Sequence, residues 1–280
     1  MEKKITDYPE DITKLSKSVL LELMALLKGY KNQIVLIGGW VPYFLLQKYQ
    51  KNRDFRHVGS ADIDFVLDPE LVKSSAYETI VGIIEKNGYK QRKDKDGNII
   101  EFSFERDIEG KKINVDFLST GYPEKTKKRH RIVQPDLKAR TLLGAKIALK
   151  HNYKETLEGT LPNKADVKVE IRIADIVGSL TTKAIALGGR SEAKDNYDIY
   201  ALVSYYKDGE KSCAEEIEPY LKEKEIQDAI GEIAKNFEKE TSLGPTLVGT
   251  FMYPGDEDAR NRVMTDSYMR INRFLELLKK

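Results

Sequence analysis

Two aspartates, Asp62 and Asp64, stand one residue apart in the run Gly59-Ser60-Ala61-Asp62-Ile63-Asp64-Phe65-Val66-Leu67, which otherwise has the composition of a buried strand. Side chains on a strand alternate with period two, so both carboxylates point to one side. Like charges set together on an apolar strand are costly unless a cation lies between them. A divalent metal answers that need. Mg2+ suits it, with Mn2+ as the variant, because it keeps several waters and takes one or two carboxylates beside the phosphates it carries.

Two further sites could complete the chemistry. In Lys112-Ile113-Asn114-Val115-Asp116-Phe117-Leu118, the apolar Ile113, Val115 and Phe117 share one face, while Asn114, Asp116 and Leu118 share the other. Asp116 thus breaks an apolar strand as Asp62 and Asp64 do. Gly38-Gly39 ends the apolar run Gln33-Ile34-Val35-Leu36-Ile37, and glycines at a strand-to-helix junction let backbone amides approach a phosphate beside the helix dipole. Two metals sharing Asp62 and Asp64 would clamp an in-line phosphoryl displacement, with Asp116 activating the attacking hydroxyl as ligand or as base. Each piece has a plainer reading alone: a tight turn for Gly38-Gly39, a solvated strand end for Asp62 and Asp64, an edge carboxylate for Asp116. Ser60 could bind phosphate or cap the start of the strand.

The elements that must position these residues follow from periodicity. Ile12, Leu15, Val19, Leu20, Leu23, Leu26 and Leu27 recur at helical spacing over residues 10–28, and Trp40 to Leu46 forms a second helix with Pro42 in its tolerated first turn. Residues 70–87 read as helix, with Gly88 as a C-cap. Strands are expected at 89–94 and 98–106 around the Asp94-Lys95-Asp96-Gly97-Asn98 turn, and at 167–173, where alternation is clean. Apart from that alternation the region 140–173 is less clear, with a turn suggested by Pro162-Asn163. Helices are expected near 174–187, 195–207, 214–239 and 260–279, with loops at Gly244-Pro245 and Pro254-Gly255. The fold class is therefore α/β (α+β), a small mixed sheet with flanking helices followed by a helical C-terminal region, with domains expected at 1–175 and 176–280.

Composition bounds the rest. The chain has 280 residues, 40% hydrophobic and 33% charged, with a formal net charge of +2 and one cysteine, Cys213. A single cysteine excludes an intrachain disulfide and a cysteine-cluster zinc site. The start MEKKITDYPEDITKL has no apolar segment of a signal peptide, and no apolar run approaches the roughly 18 residues of a membrane span, so a cytoplasmic location is expected. The near-neutral charge permits a nucleic-acid substrate without requiring one.

The order of these motifs resembles the nucleotidyltransferase superfamily with a polymerase-β-like core: Ile37-Gly38-Gly39-Trp40, then Ser60-Ala61-Asp62-Ile63-Asp64-Phe65, then Asn114-Val115-Asp116-Phe117. The long spacing between the glycine pair and the acidic pair resembles the AbiEii and MenT-like toxin branch and some antibiotic adenylyltransferases. A later block resembles the toxin branch: Lys183-Ala184, Arg190 and Lys194-Asp195-Asn196-Tyr197-Asp198-Ile199-Tyr200. The resemblance spans about residues 33 to 203. It implies that Asp62, Asp64 and Asp116 are catalytic metal ligands, that Gly38, Gly39 and Ser60 meet the nucleotide, that Lys183 binds the triphosphate, and that Asp195 is an essential polar anchor. Arg56-His57 departs from the branch, which usually has an arginine closer to the serine. The alternative for Lys183, Arg190, Asp195 and Asp198 is a salt-bridge network between helices.

The resemblance implies a Mg2+-dependent transfer of a nucleoside monophosphate from an NTP to a hydroxyl, with transfer RNA as the leading acceptor and a cognate antitoxin as partner. Its alternatives are a small-molecule, aminoglycoside-like adenylyltransferase and a non-catalytic nucleotide-binding module. The basic run Lys125-Thr126-Lys127-Lys128-Arg129-His130-Arg131 could follow an RNA backbone or form a solvated loop. Tyr197, Tyr200, Tyr205 and Tyr206 could pack or stack on bases, with packing favoured by their helical spacing.

Overall fold

A computed structural model describes residues 3–73, 78–121, 129–190 and 192–279. In chain order its main elements are α1 (Glu10–Leu26), β1 (Ile34–Ile37), α2 (Trp40–Tyr49), β2 (Ile63–Leu67), α3 (Pro69–Lys73), α4 (Ile80–Lys86), β3 (Tyr89–Lys93), β4 (Ile99–Ile108) and β5 (Lys111–Ser119). There follow β6 (His130–Gln134), β7 (Leu137–Thr141), α5 (Ala145–Lys150), β8 (Asn152–Thr160) and β9 (Asp166–Ala174). The chain continues through α6 (Ile176–Gly189), α7 (Ala193–Tyr205), α8 (Glu210–Ile217), α9 (Lys224–Asn236), α10 (Leu243–Met252) and α11 (Glu257–Leu277). The mixed α/β class, with helices beside a mixed sheet and a helical C-terminal region, is the one expected.

The chain forms two compact units that are not consecutive segments. One comprises Glu10–Gly38 and Ser60–Ala174, and the other comprises Met1–Pro9, Gly39–Gly59 and Asp175–Lys280. The first holds the nine strands found among the described residues in one sheet, in the order β3-β4-β5-β2-β1-β9-β8, with β7 pairing β5 and β6. β2 runs antiparallel to β1 and parallel to β5. One face of this sheet is dry: Leu36, Ile63, Phe65, Phe104, Ile113, Val115 and Phe117 are all sealed from solvent, and Phe117 contacts the Phe65 and Phe104 rings at 6.2 and 5.8 Å. α1 packs on β5, β8 and β9 through Val19, Leu20 and Leu23, as its helical spacing requires.

The second unit is helical. α2, α6 and α8 pack on α7, which is buried along both faces and meets α10 and α11. Tyr197 lies against Phe251 at 4.6 Å. Tyr197, Tyr200 and Tyr206 are buried, so their rings belong to this core and offer no stacking surface.

Several expected elements break where local chemistry intervenes. Of the helix expected over 70–87, residues 74–77 lie outside the described residues, and the helices on either side each have their own start. Asp68 accepts hydrogen bonds from the Glu70 and Leu71 amides to open α3, and Thr79 caps α4 by accepting from Gly82 at 3.1 Å. The helix expected over 214–239 is interrupted by the 3-10 turn Glu218–Tyr220, which contains Pro219, a residue that cannot continue a helix. Gly244-Pro245, expected as a loop, lies in the first turn of α10 behind Ser242, where a proline loses no helix bond. The less clear region 140–173 contains α5 and β8 ahead of the expected strand. β8 alternates half-buried and exposed residues weakly and becomes a strand by pairing along its whole length with β9. Among the described residues no helix is long and apolar enough to cross a membrane.

Candidate active site

In the sheet unit, register does what sequence spacing alone cannot. β2 and β5 align so that Asp64 sits opposite Asp116, and Asn114 lies on the same face two residues before Asp116. Asp62 precedes β2 and accepts a 2.9 Å hydrogen bond from Asn114 Nδ2, while its own amide donates to Ser60 Oγ at 3.3 Å. Asp62, Asp64 and Asp116 are all half-buried. Three carboxylates from two neighbouring strands therefore share one face, opposite the aromatic core.

Ser103, the direct partner of Asp116 on β4, donates a hydrogen bond to its carboxylate. Arg92 donates to Ser103 Oγ at 2.9 Å and lies 3.8 Å from the Asp116 carboxylate. Burial raises the Asp116 pKa above the usual aspartate value, with the Asp62 charge adding to the rise, while Ser103, Arg92 and Arg140 oppose it.

Gly38 is required by this arrangement. Its φ of +74° is the left-handed conformation, and a Cβ placed there would lie 2.1 Å from Asp64 Oδ2. The glycine thus clears space for the Asp64 carboxylate, a purpose its place in a Gly-Gly pair does not announce. Gly39 takes ordinary right-handed angles as the N-cap of α2, without a side-chain cap.

The donors are all carboxylate oxygen, which fits Mg2+ or Mn2+, and the face cleared by Gly38 leaves Asp64 unobstructed by any side chain at that position. The carboxylates do not converge as a trio: among the described residues no group of three His, Cys, Asp or Glu is set to hold one ion. Asp62 is turned to Asn114 and Asp116 to Ser103. The arrangement suits an ion held by one or two carboxylates together with the phosphates of a nucleotide.

The other residues singled out by the sequence meet in the helical unit. α6 carries Lys183, and α7 carries Lys194, Asp195 and Asp198 on neighbouring turns, all buried. Lys183 Nζ lies 3.1 Å from Asp195 Oδ1 and 2.6 Å from Asp198 Oδ2, and Arg190 approaches Asp195 at 3.7 Å from the exposed side. The salt-bridge network among these four residues is therefore present. Lys194 pairs closely with Asp198 as well. His57 was not singled out as part of this cluster, yet its Nε2 lies 2.8 Å from Asp198 Oδ1 and its Nδ1 accepts the Gly59 N–H at 3.1 Å. An Nδ1 that accepts leaves the proton on Nε2, so Asp198 is the acceptor of that bond. No spacing rule reveals His57, since it lies 141 positions from Asp198.

The cluster balances its charge with two ammonium groups and two carboxylates. Burial would lower the Lys183 pKa, but Asp198 and Asp195 overcome it and hold the ammonium above its ordinary range. Asp198 is held well below the usual carboxylate range: burial alone would raise it, and Lys183, Lys194 and His57 reverse that. Burial lowers Lys194 to about 8 despite Asp198, and lowers His57 to about 4 with help from the Lys194 and Lys183 charges. His57 is thus neutral at pH 7.

Of the basic run, 125–128 lie outside the described residues. Arg131 is buried and bonds Thr120, the Gly121 carbonyl and Glu70, so it is a structural residue. No curated protein matches the chain. A strand ending at a glycine that makes way for an Asp-x-Asp pair, with a third aspartate in register on the neighbouring strand, is the frame of a nucleotidyl-transfer site, and residues 23–246 match the family model described as "Nucleotidyl transferase AbiEii toxin, Type IV TA system": the chain belongs to the AbiEii family of nucleotidyl transferase toxins.

Proposed function

We propose that this chain is a Mg2+-dependent nucleotidyltransferase that moves a nucleoside monophosphate from an NTP to the hydroxyl of an RNA, with transfer RNA the leading acceptor, and that a cognate antitoxin restrains it. The observation that carries the reading is the in-register placement of Asp64 opposite Asp116, with Asp62 on the same face. Family membership supports the reaction class and the antitoxin.

Asp62 and Asp64 would hold the divalent ion, which neutralises the triphosphate when bound and makes the pyrophosphate a better leaving group. Asp116, fixed by Ser103 and Arg92, would orient the acceptor hydroxyl and take its proton. The acceptor oxygen then forms its bond to the α-phosphorus as the bond from that phosphorus to the pyrophosphate oxygen breaks. Gly38, Gly39 and Ser60 would line the nucleotide side through backbone amides and the serine hydroxyl. Lys183 and Asp195 belong to the reading through the family resemblance, and Lys183 would add positive charge for the phosphates.

The test is incubation of the purified protein with each labelled NTP, Mg2+, and either total RNA or aminoglycosides. Label on RNA is the expected result, and label on the drug would establish the small-molecule reading. An Asp62→Ala, Asp64→Ala double variant should lose transfer by at least about a thousandfold while keeping its melting temperature. Absence of transfer to any acceptor, with NTP affinity unchanged in that variant, would overturn the enzyme reading in favour of the binding module.

A further inference from the structure

The face that carries the three aspartates continues beyond Asp116 onto β6 and β7. Leu118, two residues after Asp116 and so on its face, pairs with Arg140 of β7, and Arg140 pairs with His130 of β6. Direct partners in a sheet share a face, so Asp116, Arg140 and His130 lie on one side. Phe102 of β4 closes the group. Its ring stacks on His130 at 5.6 Å and 27°, and the Arg140 guanidinium lies 5.7 Å over the same ring. Arg140 and His130 are exposed, and Phe102 is half-buried.

Arg140 and His130 lie outside the core, on the face that carries Asp116, and Arg140 is close enough to act on its carboxylate. A surface that presents stacked rings and a guanidinium beside a catalytic carboxylate has the two features that bind single-stranded nucleic acid: π-faces for bases and fixed positive charge for the backbone. Arg92 extends the positive charge on the other side of Asp116, 3.8 Å away. The same charge disfavours a polycationic acceptor such as an aminoglycoside.

We propose that Phe102, His130 and Arg140 form the acceptor subsite, where the last base of a single RNA strand stacks on the Phe102–His130 pair and its phosphate meets Arg140, bringing the terminal hydroxyl to Asp116. This rests on the nucleotidyl-transfer reading for what happens at the hydroxyl, while the binding of the strand stands by itself.

The experiment measures two affinities on the full chain. One is for a 5′-fluorescein RNA dodecamer with a free 3′ hydroxyl, and the other is for fluorescent analogues of each of the four NTPs with Mg2+. Phe102→Leu keeps apolar volume without the ring, and combined with His130→Ala it should weaken RNA binding about tenfold. Arg140→Gln should lower the dependence of log affinity on log salt by about 0.7, the share of one phosphate contact on a single strand, and Arg140→Lys should restore it. NTP affinity should stay within about twofold in all of them. RNA affinity unchanged in these variants, RNA and NTP affinities falling together, or no RNA binding by the wild-type chain would each overturn the subsite. Failure of the wild-type chain to bind any of the four NTPs while the RNA effects hold would overturn the nucleotidyl-transfer reading and leave the subsite standing.

Discussion

At the scale of single residues, the decisive feature is the contact between a glycine and an aspartate. Gly38 reads in sequence as half of a Gly-Gly turn, and its amide as a phosphate contact. In the structure its missing side chain is what leaves room for Asp64 Oδ2. Gly38→Ala meets two costs, about 1–2 kcal/mol for a left-handed alanine and the displacement of the Asp64 carboxylate. The expected outcome is a loss of transfer of at least about a hundredfold with a modest fall in the urea midpoint. In an Asp64→Ala background the same substitution should cost only the backbone part, so the double-mutant cycle should show strong coupling. Additive effects on stability in that cycle would remove Gly38 from the site. The aspartates themselves were legible without structure, because polar residues that break apolar alternation are conspicuous. Ser103 and Arg92 were not, since each joins Asp116 only through the register of β3, β4 and β5.

At the scale of elements, α6 and α7 are joined through buried charge. Lys183 reaches from α6 to both Asp195 and Asp198, and Lys194 and His57 complete the set. Removing one partner from a buried pair leaves the opposite charge uncompensated, which typically costs about 3–5 kcal/mol. Lys183→Ala should therefore lower unfolding stability by about that amount in chemical denaturation. The measurement also separates its two roles. A collapse of NTP affinity with an unchanged denaturation midpoint would show that phosphate binding is the larger part of what Lys183 does. The elements themselves were partly legible. Long amphipathic helices such as α1 and the hairpin of β3 and β4 follow from periodicity and turn chemistry. The start of α4 at its Thr79 cap, the helix break at 218–220 and the strand β8 depend on capping, on proline and on pairing with the neighbouring strand β9, which a local window does not weigh.

At the scale of the whole molecule, the same cluster sets how stability depends on pH. The His57 pKa falls from 6.5 to about 4 on folding, so the unfolded chain binds a proton that the folded chain refuses throughout that range. Stability from this group is complete above about pH 6.5 and is lost as pH falls toward 4, by about 3 kcal/mol in all. Asp198, held below its ordinary value, adds a further loss below about pH 4. Denaturation midpoints at pH 7, 6 and 5 should fall steadily for the wild-type chain and much less for His57→Asn. Equal slopes in the two would show that His57 is not the group responsible.

The amino-acid sequence by itself determined the reaction class. Carboxylates on apolar strands, a glycine pair at a strand end and a basic-acidic block at helical spacing are local patterns, written by the chemistry they must perform and readable in order. Only the tertiary structure decided which residues meet. Pairing β2 with β5 aligned Asp64 with Asp116, and pairing β7 with both β5 and β6 carried the same face out to Arg140 and His130. Packing α6 on α7 buried Lys183 between two aspartates and brought His57 to Asp198. Register and burial come from contacts between residues far apart in the chain, which is why the three aspartates could be picked out in advance while the Phe102–His130 surface and the partners of Lys183 could not.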